Sequence, residues 1–148
     1  MTVIRGLEEA MAKLVAIGEE GERIASREVV ASALNVQRRA KERLTETEAV
    51  DTGRLRNSVT VAESDSALNA ASDQATGGPQ GSAGGREAPT MVRPGMLAAK
   101  IGTNVYYGPN IEFTGPPYPR PFLFPSLEEE RPQMLRRLTE ALKRLESA

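Results

Sequence analysis

The residues from which chemistry could be built in this chain are carboxylates. Asp51, Glu63, Asp65 and Glu112 could in principle pair as a general acid and base, or share a divalent cation. Their spacing matches no metal-binding or glycosidase pattern. The chain has no histidine and no cysteine, which removes the commonest general base, the commonest metal ligand, the thiolate nucleophile and any disulfide. Asp51 precedes Thr52 and Gly53. Asp and Thr side chains bond back to nearby backbone, and glycine supplies angles that other residues avoid, so this triplet reads as a turn. Glu112 stands on an expected strand beside aromatics and reads as an interface or edge residue. The glycine-rich run of residues 77–85 has no Lys-Ser or Lys-Thr ending and no helix directly after it, so it is not a phosphate cradle. This inventory points away from an enzyme and implies neither metal nor cofactor.

The aromatic residues are more informative. All of them fall within residues 106–124. Tyr106 and Tyr107 could stack nucleic-acid bases, with Arg54, Arg56 and Arg120 nearby. Successive residues of a strand face opposite sides, however, so the two tyrosines would not share one platform. A formal net charge of −1, from 19 basic and 20 acidic residues, also argues against a dedicated DNA-binding domain. Aromatics interleaved with prolines are typical of interface anchors. The candidate contact residues are Tyr106, Tyr107, Glu112, Phe113, Pro121, Phe122, Leu123 and Phe124. A stiff connector would present them, since Pro116, Pro117, Pro119 and Pro121 forbid both helix and central strand.

The elements that must position these residues fit one domain over residues 1–148. Leu7, Ala10, Met11, Leu14 and Ile17 recur at helical spacing and predict a first helix over 5–17, stopped by Gly18. A longer helix is predicted over 20–44, with Val29, Ala33, Val36, Ala40 and Leu44 as its apolar stripe and a solvated face of Gln37, Arg38, Lys41 and Glu42. Asp51, Thr52 and Gly53, with Leu55 and Arg56 after them, form the corner into a strand over 57–63. Residues 64–96 are rich in Ser, Ala, Asn, Gly and Pro. They read as an insertion, a long glycine-rich hairpin arm whose flanks at 88–92 and 96–103 could be strands. Paired strands are predicted over 97–102 and 105–113. Ser126 and Glu129 form a capping box for a last helix, with Leu127, Met134 or Leu135, Leu138, Leu142 and Leu145 as its stripe and Pro132 as a kink or a late start. The fold class is α+β: a small antiparallel sheet packed by a long amino-terminal helix pair and a carboxy-terminal helix. No stretch approaches the roughly 18 apolar residues of a membrane span, and no leader is apparent, so a soluble protein made in a cytoplasm is expected.

The ordered motifs also resemble a family. They are Ile4-Arg5-Gly6-Leu7, then Val50-Asp51-Thr52-Gly53-Arg54-Leu55-Arg56-Asn57-Ser58, Ile101-Gly102-Thr103 with Val105-Tyr106-Tyr107, and Ile111-Glu112-Phe113. Last come Pro121-Phe122-Leu123-Phe124-Pro125-Ser126-Leu127 and a charged helix. Together they resemble the tail-completion, or neck, proteins of long-tailed bacteriophages and gene transfer agents, the broad group that includes the minor tail protein Z of phage lambda. Such proteins often follow Glu-Phe with Gly-Thr, whereas this chain has Thr114-Gly115. The resemblance implies a structural virion protein, made in a bacterial host, that forms a homo-oligomeric ring at the head–tail junction, commonly a hexamer. It implies head-closure or adaptor proteins and the tail terminator or tail tube as partners, and genome DNA passing through the lumen without being read. Alternatives are a tail terminator ring that ends tube growth, or a connector module that contacts DNA.

Overall fold

The computed structural model describes residues 7–46, 53–77, 86–114 and 119–147. The first element is one helix, α1 (Leu7–Glu46), where two were expected. Gly18 and Gly21 do not break it. Glycine costs a helix interior about 1 kcal/mol relative to alanine but forbids nothing, and good helix formers surround both positions. A side chain at either glycine would meet nothing within 4 Å. The expected stripe is confirmed where the helix packs: Ala33, Val36, Ala40 and Leu44 are buried. Gln37 leaves the solvated face assigned to it, because its Nε2 donates to the carbonyl of Val59 at 3.1 Å in the interior.

Asp51 and Thr52 lie outside the described residues. Gly53 enters the next element at φ 78, in the left-handed region, and α2 (Arg54–Ser58) follows it. The amide of Asn57 bonds to the carbonyl of Gly53 at 2.8 Å, and the Ser58 hydroxyl donates to the carbonyl of Leu55 at 2.7 Å. This local turn takes Asn57 and Ser58 out of the strand expected over 57–63. Strand β1 is therefore only Thr60–Ala62.

Residues 65–76, expected within a hairpin arm, form a helix, α3 (Asp65–Thr76). Ser64 caps it by accepting from the amide of Ala67 at 3.2 Å, and Gly77 closes it at φ 71. Leu68, Ala71 and Ala75 are its buried face, a helical spacing that the small, polar composition concealed. The core of the glycine-rich run, residues 78–85, lies outside the described residues.

Strand β2 (Lys100–Gly102) pairs antiparallel with β1, Thr60 opposite Gly102 and Val61 opposite Ile101. The expected partner over 105–113 is not a strand. Its chain turns at Val105 and Gly108, and Asn110–Thr114 form a π-helical turn. Pro109 has no N–H to give a ladder. Gly108 lies so close to Thr103 that a Cβ there would approach Cγ2 to 3.0 Å. The segment at 88–92 forms no strand either, but it runs beside β1, with Ala88 N bonded to Asn57 O at 2.8 Å and Met91 N to Val61 O at 2.9 Å.

The last helix, α4 (Leu123–Glu146), starts before Ser126 and runs through Pro132. It lies antiparallel against α1: Arg137 meets Glu28, and Glu130 meets Asn35. The core joins Ala40 and Leu44 of α1, Leu55 of α2, Val59, Val105 and Phe122. The α+β class is confirmed in its coarse form: mostly helix, with a two-stranded antiparallel sheet.

Candidate functional site

The chain around the last aromatics is organised by one carboxylate. Glu112 is buried and accepts three backbone amides at the start of α4. Its Oε2 takes Phe122 N at 2.7 Å and Leu123 N at 2.9 Å, and its Oε1 takes Phe124 N at 2.8 Å. The first amides of a helix have no partner within the helix and carry its positive end, so a carboxylate there is doubly favourable. The expected capping box is absent for this reason. Phe122, at the cap position, supplies no side-chain acceptor, and the Ser126 hydroxyl bonds back to the carbonyl of Phe122. Glu112 is thus an internal cap rather than an edge residue.

Its neighbours divide between interior and surface. Phe122 is 1% exposed and belongs to the core, with Leu123 and Tyr107 half-buried against it. Phe113 and Phe124 are 69% and 61% exposed, and Pro121 is also exposed. Tyr106 and Tyr107 touch edge to face at 5.4 Å, which a turn permits and a strand would not. The Arg54 guanidinium lies over the Tyr107 ring at 5.8 Å, while Leu55 packs below and Arg56 is half-buried on the same short helix. Of the predicted contact residues, Tyr106, Phe113, Pro121 and Phe124 therefore present surface, and Phe122 does not.

Phe113, Phe124, Leu123 and Leu127 line an apolar groove of about 380 Å³ floored by Val36, Ile101 and Phe122. A second hollow shares Val36, Ile101 and Leu127 and continues between α1 and α4, past Leu97 and Met134. Leu97 and Leu127 are also exposed. Sequence reasoning missed the groove because its walls come from residues 101–103, from the turn at 108–113 and from the start of α4, which the chain brings together only through the return at Glu112.

The face of α4 against α1 is polar. Glu130, 1% exposed, accepts Arg137 Nη2 at 2.7 Å and Asn35 Nδ2 at 3.1 Å, with Arg39 Nε 3.6 Å away. Arg137 also donates to Glu28 at 2.9 Å and to Ser32 at 2.9 Å, and Glu129 receives Arg39 and Arg43. Burial pushes the Glu130 carboxyl up. The Arg137 and Asn35 hydrogen bonds and the charges of Arg137 and Arg39 outweigh it and hold the group below the usual carboxylate range. Hydrogen bonds to Glu130 and Glu28 push the Arg137 guanidinium up. The leucine stripe read from the sequence lies beside this seam. It is only partly covered: Leu127, Leu135 and Leu142 are exposed, and Met134, Leu138 and Leu145 are half-buried.

Among the described residues no cluster of acidic side chains could hold a metal ion, and no helix is long and apolar enough to cross a membrane. Glu63 and Asp65 pair separately with Arg93 and Lys100, so the structure does not bring Glu63, Asp65 and Glu112 together. No family model, curated protein or solved structure matches this chain.

Proposed function

We propose that this protein is a structural component of a bacteriophage or gene-transfer-agent particle, a neck or tail-completion subunit that joins the DNA-filled head to the tail. It acts as a ring of identical subunits, sixfold in the simplest case, between head-closure or adaptor proteins and the tail terminator or tube. Genome DNA passes through the ring without sequence readout.

One observation supports an assembly role above the others. Several large apolar side chains of α4 stay exposed although the helix packs on α1, while Met134, Leu138 and Leu145 are half-buried. Its inner face carries an ionic seam around Glu130, while Leu127 and Phe124 stay exposed at the groove with Phe113, Leu97 lines the adjoining hollow, and Leu135 and Leu142 are exposed further along the helix. A helix normally buries its apolar stripe, and a contiguous exposed patch marks an interaction surface. The particular junction rests on the ordered motifs of the sequence. Direct DNA contact has less support, because Arg38 and Lys41 on the outer face of α1 are paired with Glu42 and Glu87.

Deleting the gene from cells that produce such particles tests the reading. The expected result is DNA-filled heads and separate, normal-length tails, with joining restored by the wild-type chain. Tails of uncontrolled length would favour the tail terminator instead. Normal joined particles would overturn both readings.

A further inference from the structure

We propose that Glu112 is a positioning residue for the aromatic contact surface: it acts through Phe113 and Phe124, whose spacing it fixes, and touches no partner itself. The inference rests on the assembly role above. Phe113 follows Glu112 directly, and the amide of Phe124 is one of the three that the Glu112 carboxylate holds, at 2.8 Å. The two phenyl rings, both strongly exposed, line one groove, so the carboxylate between them sets the groove's width.

The local backbone is built for this inward carboxylate. Residues 110–114 form a π-helical turn, a rare conformation that turns one residue out of ordinary helical register. Here Glu112 turns inward and is buried, while Phe113 beside it is exposed. The returning chain is pinned beside the turn by Arg120 N bonded to Ile111 O at 2.8 Å, and Phe122 anchors it in the core. No side chain of α4 caps its own start. Without Glu112 the amides of Phe122, Leu123 and Phe124 lose their acceptor, while the core beneath keeps its apolar contacts. Such a lesion frees the two lips of the groove without dissolving the domain.

Glu112→Gln keeps the shape of the side chain and removes its charge, and Glu112→Ala removes the acceptor. Amide hydrogen exchange is read residue by residue, alongside incorporation of each variant into particles. In both variants exchange at Phe122, Leu123 and Phe124 is expected to accelerate by roughly 10- to 100-fold, the scale of a lost charge-assisted hydrogen bond. Exchange at Ala40 and Val61 should stay at the wild-type rate. Incorporation should fall with Glu112→Ala as far as with Phe113→Asp. Unchanged exchange at the three amides, or acceleration spread over the whole chain, overturns the positioning role. So does full incorporation of Glu112→Ala. If the wild-type chain itself enters no particle, the assembly reading fails, and the exchange data still decide whether Glu112 holds the turn.

Discussion

Arg137 and Glu130 lie seven residues apart on one helix, and both point at another: Nη2 of Arg137 donates to Oε1 of Glu130 at 2.7 Å while its Nε donates to Glu28 of α1 at 2.9 Å. The pair ties α4 to α1 through directed ionic contacts. Removing Arg137 leaves the buried Glu130 carboxylate with Asn35 and the more distant Arg39, and stranding a buried charge typically costs about 3–5 kcal/mol. Arg137→Ala is expected to approach that range in denaturant titrations, and Glu130→Ala to cost less, because Arg137 keeps Glu28. The double variant Glu130→Leu with Arg137→Met should recover most of the loss, because well-packed apolar replacements of buried pairs are often neutral.

The same seam gives the chain an acid-sensitive element. The Glu130 carboxyl titrates lower in the folded state than in the unfolded chain. Its stabilisation is therefore fully present above the unfolded carboxylate pKa, roughly 4.3, and is lost as pH falls through the lower folded value. Unfolding free energy measured from pH 7 down to pH 3 should fall for the wild type, and less steeply for Glu130→Gln. The exposed Glu63–Arg93 pair shifts Glu63 in the same direction, so moderate salt, which screens surface pairs, should be used to isolate the seam.

Phenylalanines two residues apart should behave oppositely. Phe122→Ala opens a cavity in the core and should cost about 3–5 kcal/mol. Phe124→Ala and Phe113→Ala remove exposed rings, and each should change stability by no more than about 0.5 kcal/mol while impairing particle assembly. Thermal melts and particle counts on the three variants separate the two roles. A substitution at Phe122 reports folding before it reports any contact with a neighbour.

Glycines in different settings should also part company. Gly53 sits at φ 78, and an added Cβ would meet only ordinary contacts at 3.5 Å from Arg56 and Asn57. Its cost is backbone strain, so Gly53→Ala should destabilise by roughly 1–2 kcal/mol. Gly18→Ala and Gly21→Ala meet open space within α1 and should each stabilise by about 0.5–1 kcal/mol. Denaturation midpoints of the three variants give the signs directly.

Much of the fold was legible where periodicity and burial agree. The stripe from Ala33 to Leu44 and the strands around Val61 and Ile101 were visible as patterns. Failures came where local signals lost to tertiary context. Gly18 looked like a stop, yet the helix continues because one glycine costs little. Residues 65–76 looked like an arm, since alanine and serine hide an apolar face that needs only small side chains. The aromatic residues suggested a contact strip, but sequence does not say which ring turns inward, and Phe122 does. Glu112 was singled out for its place beside aromatics. Its role as the cap of α4 depends on a return of the chain that no short motif announces.

As proposed above, this chain is a part of the head–tail junction. Particles from cells that express it, labelled with gold-conjugated antibody to the chain and imaged by electron microscopy, test that claim most directly. Label is expected at one locus, between head and tail, on joined particles. Label along the tail, on the head shell, or absent from intact particles would contradict it.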